Sequence, residues 1–333
     1  MRIPAKEAKE WAKEKLVGVM DAMPIACTEE GEIDEAGLRK IVRYHYEGMK
    51  SDGIVALAGP EGFWYLTKEE RKKYTEIVVD EANKVRPGAP VIVGTLCVSV
   101  KDVVELIRHA EGAGATAVIL KNPVFATDEV GLYDFYRYVA DNTDIAIALL
   151  NIGVGSFPMS LGLVARLAED IPAICAIRSE AGDANKAIAL KQMVGDKLMV
   201  SCFDSPSLAS GLINPLGLVD PLFLARGSFL MQTPDNLIMR EFCYSCMEGK
   251  LARAAEIYFT KLIHVVKLYY GGTVLGPTPG GGLGYNHPVV HYWAKLLGVP
   301  VGTPVARPPM SPVTDEMKEK VRDGLVKAGL IKG

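Results

Sequence analysis

The chain has 333 residues, with 37 basic and 40 acidic side chains and a hydrophobic fraction of 49%. This composition is typical of a globular protein and excludes a disordered or fibrous chain. The formal net charge is −3 and no stretch is strongly basic, which argues against a nucleic-acid partner. No apolar run is long enough to cross a bilayer, and the charged N-terminal segment lacks the apolar core of a secretory signal. We therefore expect no membrane association and a cytoplasmic location.

Cysteine usage predicts neither a metal site nor a disulfide framework. Four of the six cysteines lie in or beside apolar runs, where a free cysteine behaves as a small hydrophobic residue. Cys243 and Cys246 form a CxxC pair, but the surrounding pattern predicts a helix and no second ligand pair completes a zinc set. We expect no cofactor and a reducing compartment.

Short β-branched runs alternate with amphipathic segments along most of the chain. The predicted strands are 18–26, 53–59, 90–96, 115–123, 144–152, 172–179, 197–202 and 227–232. The predicted helices lie near 34–49, from 67, at 99–113, 129–141, 160–169 and 183–194, from 205, and up to about 248. Thr67 and Glu70 have the spacing of a capping box at the start of the second helix.

Eight successive β-α units predict an α/β protein, a closed (β/α)8 TIM barrel. A doubly wound sheet would need a glycine-rich phosphate turn after its first strand, and residues 23–32 do not form one. We predict a helical extension at 1–17, the barrel at 18–249 and an α-helical C-terminal module at 250–333. The Gly/Pro-rich segment 271–285 lacks the Lys-Ser/Thr of a P-loop and is predicted to be a loop.

The active site of such a barrel lies at the C-terminal ends of the strands. Lys121 and Arg178 interrupt apolar strands there, and burying an unpaired charge costs several kcal/mol. Each is therefore expected to face an anionic ligand, water or an internal salt bridge. Other polar residues at strand ends have structural alternatives as core groups, turn residues or loop caps. They are Asp21, Glu61, Asn122, Asn151, Cys202 and Asp204.

Spaced landmarks along nearly the whole chain resemble those of a known family. They are Gly31 to Asp34, Leu66-Thr67 with Glu69 to Arg71, Pro90 to Gly94, Gly114 to Val118, Leu150 to Ile152, and Ala306 to Pro312. The chain resembles the dihydrodipicolinate synthase / N-acetylneuraminate lyase family of class I aldolases. The resemblance implies a (β/α)8 barrel with a helical C-terminal module, a cytoplasmic enzyme, and a homo-oligomer (tetramer or dimer).

The resemblance also implies a mechanism whose usual residues are missing from this chain. The family uses a strand-six lysine that forms an imine with a 2-oxo acid, but Arg178 stands at that position. Leu150 replaces the strand-five tyrosine, and Gly-Pro-Glu-Gly at 59–62 replaces a Thr-Thr-Gly-Glu loop that holds the carboxylate. Val124 and Phe125 replace the tyrosines after strand four. A guanidinium stays protonated and cannot form an imine.

Lys121 is a second candidate for the nucleophile. Strand alternation, aligned on the family pattern, predicts that it faces the barrel interior. A desolvated amine beside a cation such as Arg178 becomes nucleophilic near neutral pH. The alternative is that Lys121 neutralises Glu61 or Asp204.

We predict a lyase-like enzyme, of aldolase or hydratase/dehydratase type, that acts on a small carboxylate or 2-oxo acid. Lys121, Arg178 and Glu61 are its predicted catalytic residues. The predicted substrate contacts are Asn151, Asn122, Gly59, Leu150, Phe125, Cys202 and Asp204. Two alternatives remain: a noncovalent hydratase or isomerase that stabilises an enolate electrostatically, and a non-catalytic ligand-binding paralogue. The aromatic run Phe63–Tyr65 contacts either an apolar part of the substrate or another subunit.

Overall fold

Eight parallel strands form one sheet in the computed structural model. The structure describes residues 2–58, 63–151, 157–178, 184–201, 216–225, 227–273, 276–277, 282–302 and 310–333. The strands are β1 (Gly18–Ala22), β2 (Gly53–Ala56), β3 (Val91–Gly94), β4 (Ala117–Lys121), β5 (Ala146–Leu150), β6 (Ile174–Arg178), β7 (Met199–Val200) and β8 (Leu222–Ala225). Neighbours follow chain order from β1 to β7, and β8 pairs with the other edge of β1. This is the predicted (β/α)8 TIM barrel.

Helices lie before the first strand of the barrel, between its strands and after its last strand. Within the described ranges they are α1 (Ala8–Lys15), α2 (Glu35–Arg43), α3 (Lys68–Val85), α4 (Val100–Ala113), α5 (Glu129–Asp141), α6 (Leu161–Asp170), α7 (Ala184–Val194), α8 (Ile238–Met247), α9 (Leu251–Ile257), α10 (Ile263–Tyr270), α11 (His287–Leu296) and α12 (Asp315–Lys327). The predicted capping box is confirmed at the start of α3. Thr67 Oγ1 accepts from the Glu70 amide at 3.2 Å, and Glu70 Oε2 accepts from the Thr67 amide at 2.7 Å.

Helix α1 closes the N-terminal end of the barrel. Its buried residues Ala8 and Ala12, together with Leu16, belong to the same apolar cluster as the interior strand residues. Just before α1, the carbonyl of Ile3 accepts from the amide of Ala146 at 3.0 Å, at the start of β5. Because this end is filled by apolar side chains, the C-terminal ends of the strands are the place for a site.

Two side chains close the seam between β7 and β8. Asp220 Oδ2 accepts from the Val200 amide at 2.7 Å, while the Asp220 amide donates to the Val200 carbonyl at 3.1 Å. Ser201, fully buried, donates to the Leu222 carbonyl and accepts from the Leu224 amide, both at 3.2 Å. These bonds take the place of a regular ladder between two short strands.

The prediction of the last strand at 227–232 is wrong. The strand that pairs with β1 is β8, with Gly18 opposite Leu222 and Asp21 opposite Ala225. Gly227 has φ +86°, a left-handed conformation that ends the extended backbone, and Ser228–Leu230 form a buried 3-10 turn. Both segments are short apolar runs, which periodicity alone does not distinguish. The helix predicted from about residue 205 lies outside the described residues.

The C-terminal segment contains more than helices. Helices α9 to α12 are accompanied by a two-stranded antiparallel pair, β9 (Gly272–Thr273) and β10 (Gly276–Pro277). Cys243 and Cys246 are buried on α8, which confirms that the CxxC pair is helical. Among the described helices, none combines the length and apolar character needed to cross a membrane.

The hydrogen bonds of Ser201 between β7 and β8 lead to a prediction about stability. Replacing Ser201 with alanine leaves a buried amide and a buried carbonyl without their partner, so we expect the free energy of unfolding to fall by about 1–3 kcal/mol. Urea denaturation followed by circular dichroism measures this change. The matched control is S99A, because Ser99 caps α4 without a side-chain hydrogen bond, and its cost should stay within about 0.5 kcal/mol. Equal unfolding midpoints for S201A and the wild type contradict the role of the seam.

Candidate active site

Two cations and a leucine form a row inside the barrel at its C-terminal edge. Lys121 on β4 is opposite Leu150 on β5, which is opposite Arg178 on β6. In-register residues of adjacent strands face the same side of a sheet, and Leu150 belongs to the interior cluster. Lys121 is half-buried and Arg178 is 3% exposed. Apart from these two, the described strand residues facing the interior are apolar or glycine.

A small recess opens beside Lys121. Its cavity volume is about 10 Å³, which is roughly the space of one water molecule. The described residues that line it are Leu57, Ala58, Phe63, Gly94, Leu96, Ile119, Lys121 and Leu150. Since every other lining side chain is apolar, the ammonium group of Lys121 supplies the polarity of this wall.

Asn122 and Asn151 hold the chain that follows β5. The Asn122 amide nitrogen donates to the Phe157 carbonyl at 2.7 Å, and its oxygen accepts from the Tyr136 hydroxyl at 2.8 Å. Asn151 exchanges two hydrogen bonds with the backbone of Met159, at 3.0 and 3.1 Å. Asn122 is fully buried, and burial raises the pKa of the Tyr136 phenol. Both asparagines thus position a loop at the mouth of the barrel.

Asp21 is a satisfied core group. Its carboxylate accepts hydrogen bonds from the hydroxyls of Ser51 and Ser228, and His45 Nδ1 lies 3.7 Å from one of its oxygens. Asp21 is 1% exposed and alternates with Met20, which faces the interior, so it faces the helices instead. It ties β1 to the 3-10 turn that follows β8 and to the turn before β2.

The C-terminal module reaches the segment after β2. The Tyr65 hydroxyl lies 2.8 Å from His287 Nδ1, and the two ring centroids are 4.7 Å apart. The ring of His287 contacts that of His291, one turn later on α11, at a tilt of 52° with centroids 4.3 Å apart. Burial lowers the pKa of His291 to about 4, so its imidazole is neutral at physiological pH. The aromatic segment therefore has the barrel on one side and α11 on the other.

The structure brings only part of the predicted set together. Lys121 and Leu150 line the recess, and Arg178 completes their row. Phe125 is 77% exposed and lies outside the set of described residues that line the recess. The predicted residues Gly59, Glu61, Cys202 and Asp204 lie outside the described residues.

Two residues that line the recess and one residue behind them were not predicted from the sequence. Gly94 and Leu96 line it, and Arg71 contacts the backbone of both. The available signal was the position of Gly94 at the end of an apolar strand. No local pattern connects Arg71 on α3 with residues 23 and 25 positions further along the chain.

Comparison with known proteins assigns the chain to a family. Residues 15–328 match the dihydrodipicolinate synthetase family. The chain belongs to this family. It is 30% identical over 327 residues to a 4-hydroxy-tetrahydrodipicolinate synthase of Methanothrix thermoacetophila, covering 95% of this chain and 98% of the relative.

Solved structures of this family have the same fold. Dihydrodipicolinate synthase from Aquifex aeolicus is 23% identical, with a TM-score of 0.79 over 95% of this chain and all of the other. A prophage protein of the family from E. coli K12, solved in complex with pyruvate, is 21% identical, with a TM-score of 0.79 over 95% and 99% of the two chains. A further relative named 4-hydroxy-tetrahydrodipicolinate synthase, from Desulforudis audaxviator, is 29% identical over 319 residues, covering 94% of this chain and 98% of the relative.

A double-mutant cycle tests whether the hydrogen bond between Asn122 and Tyr136 contributes to stability. N122A and Y136F each remove one partner of a buried hydrogen bond, so we expect each to lower the free energy of unfolding by about 1–3 kcal/mol. In the double variant the losses should fall short of additivity by about 1 kcal/mol. Chemical denaturation of the four proteins measures this coupling.

The control cycle combines N122A with Y133F. Tyr133 lies one turn earlier on α5 and donates to Asp170 at 2.9 Å, away from Asn122. This pair should be additive. Additivity in the Asn122–Tyr136 pair as well would contradict the positioning role of Asn122.

Proposed function

We propose that this protein is a cytoplasmic lyase that acts on a 2-oxo acid. Lys121 forms an imine with the 2-oxo carbon, and Arg178 binds the adjacent carboxylate. The single observation that carries this proposal is the row of Lys121, Leu150 and Arg178 inside the barrel. The substrate is therefore a small anion with a carbonyl next to its carboxylate.

The spacing of the row suits such a ligand. Adjacent strands lie about 4.8 Å apart, so the backbones of Lys121 and Arg178 are separated by about 10 Å. Long side chains from both ends of the row can meet in the middle, above Leu150. The planar guanidinium of Arg178 matches a carboxylate with two parallel hydrogen bonds, which a lysine at that position cannot offer.

The chemistry follows from an amine in a mostly apolar interior. The neutral Lys121 amine attacks the carbonyl carbon of the 2-oxo acid and forms a carbinolamine, in which one amine proton has moved to the oxygen. A second proton, which we assign to Glu61, lets that oxygen leave as water and gives a protonated imine. The imine withdraws electrons from the neighbouring carbon, which then loses a proton or breaks a carbon–carbon bond. Arg178 stays protonated throughout and holds the carboxylate that anchors the reacting carbon.

The names of relatives support the reaction class. One relative is a 4-hydroxy-tetrahydrodipicolinate synthase, and a structure of similar fold contains pyruvate, which is itself a 2-oxo acid. Arg178 stands where the resemblance implies an imine lysine, so the nucleophile must come from elsewhere in the barrel. We assign proton transfer to Glu61 and further substrate contacts to Gly59, Cys202 and Asp204 as parts of this proposal.

Borohydride trapping tests the covalent step. The protein is incubated with a panel of 2-oxo acids, beginning with pyruvate, and reduced with borohydride. Hydride addition to the imine carbon leaves a stable secondary amine, which peptide mass mapping should locate on Lys121. K121M should abolish the adduct, and R178A should raise the concentration of 2-oxo acid needed for half-maximal labelling about tenfold or more, because a charge-assisted pair is lost.

The control variant is K101M. Lys101 is an exposed residue at the start of α4, so its removal should leave trapping unchanged. An adduct that persists in K121M contradicts the assignment of the nucleophile. Turnover of a 2-oxo acid without any adduct favours the noncovalent hydratase or isomerase, and the absence of both binding and turnover favours the ligand-binding paralogue.

We also propose that the protein forms a homo-oligomer through the C-terminal face of the barrel. The loops after β3 and β4 and the start of α5 expose several large apolar side chains. They are Val98 at 76%, Val124 at 44%, Phe125 at 77% and Val130 at 72%. Exposed large apolar side chains are typical of an interaction surface, and a second copy of the chain is the occupant that we propose.

Sedimentation velocity tests this association. F125E places a charge in the proposed interface, so we expect it to lower the sedimentation coefficient to that of a monomer at micromolar concentration. The control is M193E, because Met193 is 54% exposed near the C-terminal end of α7, at the opposite end of the barrel. A wild-type monomer, or an oligomer that survives F125E, contradicts the proposal.

A further inference from the structure

Arg71 is a buried cation whose contacts within the described part of the chain include no carboxylate. It lies on the first turns of α3 and is 5% exposed. Its guanidinium donates to the Leu96 carbonyl at 2.7 Å, to the Gly94 carbonyl at 3.3 Å and to Cys97 Sγ at 3.4 Å. It also lies over the ring of Phe63, 5.2 Å from the centroid.

Three of these four contacts are walls of the recess beside Lys121. Phe63, Gly94 and Leu96 line that recess. Phe63 lies in the segment after β2, Gly94 is the last residue of β3, and Leu96 follows β3. Arg71 itself lies behind them, outside the lining. One side chain thus ties the segment after β2 to the segment after β3.

We infer that Arg71 is a positioning residue that fixes the wall of the Lys121 recess. The inference rests on the proposed function, in which Lys121 is the reacting amine. The capping box at Thr67 sets the start of α3 and therefore the direction in which Arg71 points. Arg71 then holds Phe63, Gly94 and Leu96 at a fixed distance from the amine.

The chemistry of the side chain explains why an arginine is present at this point. Burial lowers the pKa of the Arg71 guanidinium, so its position is costly unless acceptors surround it. A planar fork with several donors reaches two backbone carbonyls at once and stacks on an aromatic face. An ammonium group can do neither with the same geometry. The guanidinium of Arg71 thereby holds the segment after β2 against the end of β3.

The test measures the reactivity of Lys121 without any substrate. The full-length protein is pulsed with acetic anhydride at several pH values, and mass spectrometry quantifies acetylation at each lysine. We compare the wild type with R71M and R71K. R71M removes the hydrogen bonds that hold Gly94 and Leu96, so the wall should move away from Lys121 more often. We expect the acetylation rate of Lys121 to rise about fivefold, the factor that corresponds to the loss of one typical hydrogen bond. R71K should restore it only in part.

The matched control is R86M. Arg86 also donates to a backbone carbonyl, that of Ser51, and also lies over a ring, that of Tyr46 at 5.8 Å. Its contact precedes β2, at the opposite end of the barrel from the recess. R86M should therefore lose a similar amount of thermal stability and leave the acetylation of Lys121 unchanged.

The outcomes separate this inference from the proposed function. Unchanged acetylation of Lys121 in R71M, or an equal rise in R86M, overturns the positioning role. If R71M fails to fold, R71K decides, because wild-type acetylation in R71K also overturns it. If the wild-type protein forms no adduct with pyruvate or other 2-oxo acids, the proposed function is refuted. The acetylation rates of Lys121 in the wild type, R71M and R86M still decide whether Arg71 positions the wall.

Discussion

The in-register pairing of β4, β5 and β6 is the constraint on which the candidate site depends. Once Lys121, Leu150 and Arg178 are opposite one another, strand alternation turns all three toward the barrel interior. Two cations then share a space whose other described strand residues are apolar or glycine. Under the proposed function, a 2-oxo acid binds in this space, with its carbonyl carbon at the Lys121 amine and its carboxylate at the Arg178 guanidinium.

Buried polar side chains around this row form hydrogen bonds to the backbone of neighbouring segments. Arg71 holds the segments after β2 and β3, while Asn122 and Asn151 hold the chain after β5. Each support uses a buried polar side chain to satisfy backbone groups of a loop. Because buried polar groups without partners are costly, these contacts favour one loop arrangement over others. The described segments around Phe63, Leu96 and Phe157 are therefore held by side-chain contacts.

Much of the fold could be predicted because alternation and periodicity are local properties. The first seven strands, the capping box at Thr67 and the helical CxxC pair all follow from short windows of sequence. The eighth strand could not be located in this way. Whether residues 222–225 or 227–232 pair with β1 depends on a backbone turn at Gly227 and on contacts made across the whole chain.

The sequence predicts the parts of the candidate site whose side-chain directions follow from alternation along a strand. It does not predict the parts in which segments far apart in the chain meet. The inward direction of Arg178 follows from the resemblance, because it stands at the position of the family's imine lysine. That of Lys121 follows from strand alternation aligned on the family pattern. The same rule turns Asn122, the next residue, away from the interior, so its expected substrate contact was inconsistent with the placement of Lys121. The role of Arg71 had no signal, because its partners belong to loops whose positions only the folded barrel defines.

A crystal structure of the protein soaked with a 2-oxo acid tests the central claim most directly. We predict continuous density from Lys121 Nζ to the second carbon of the ligand, with the carboxylate within hydrogen-bonding distance of the Arg178 guanidinium. A ligand bound with its carboxylate away from Arg178, or a recess that stays empty while the ligand occupies another part of the molecule, would contradict the account.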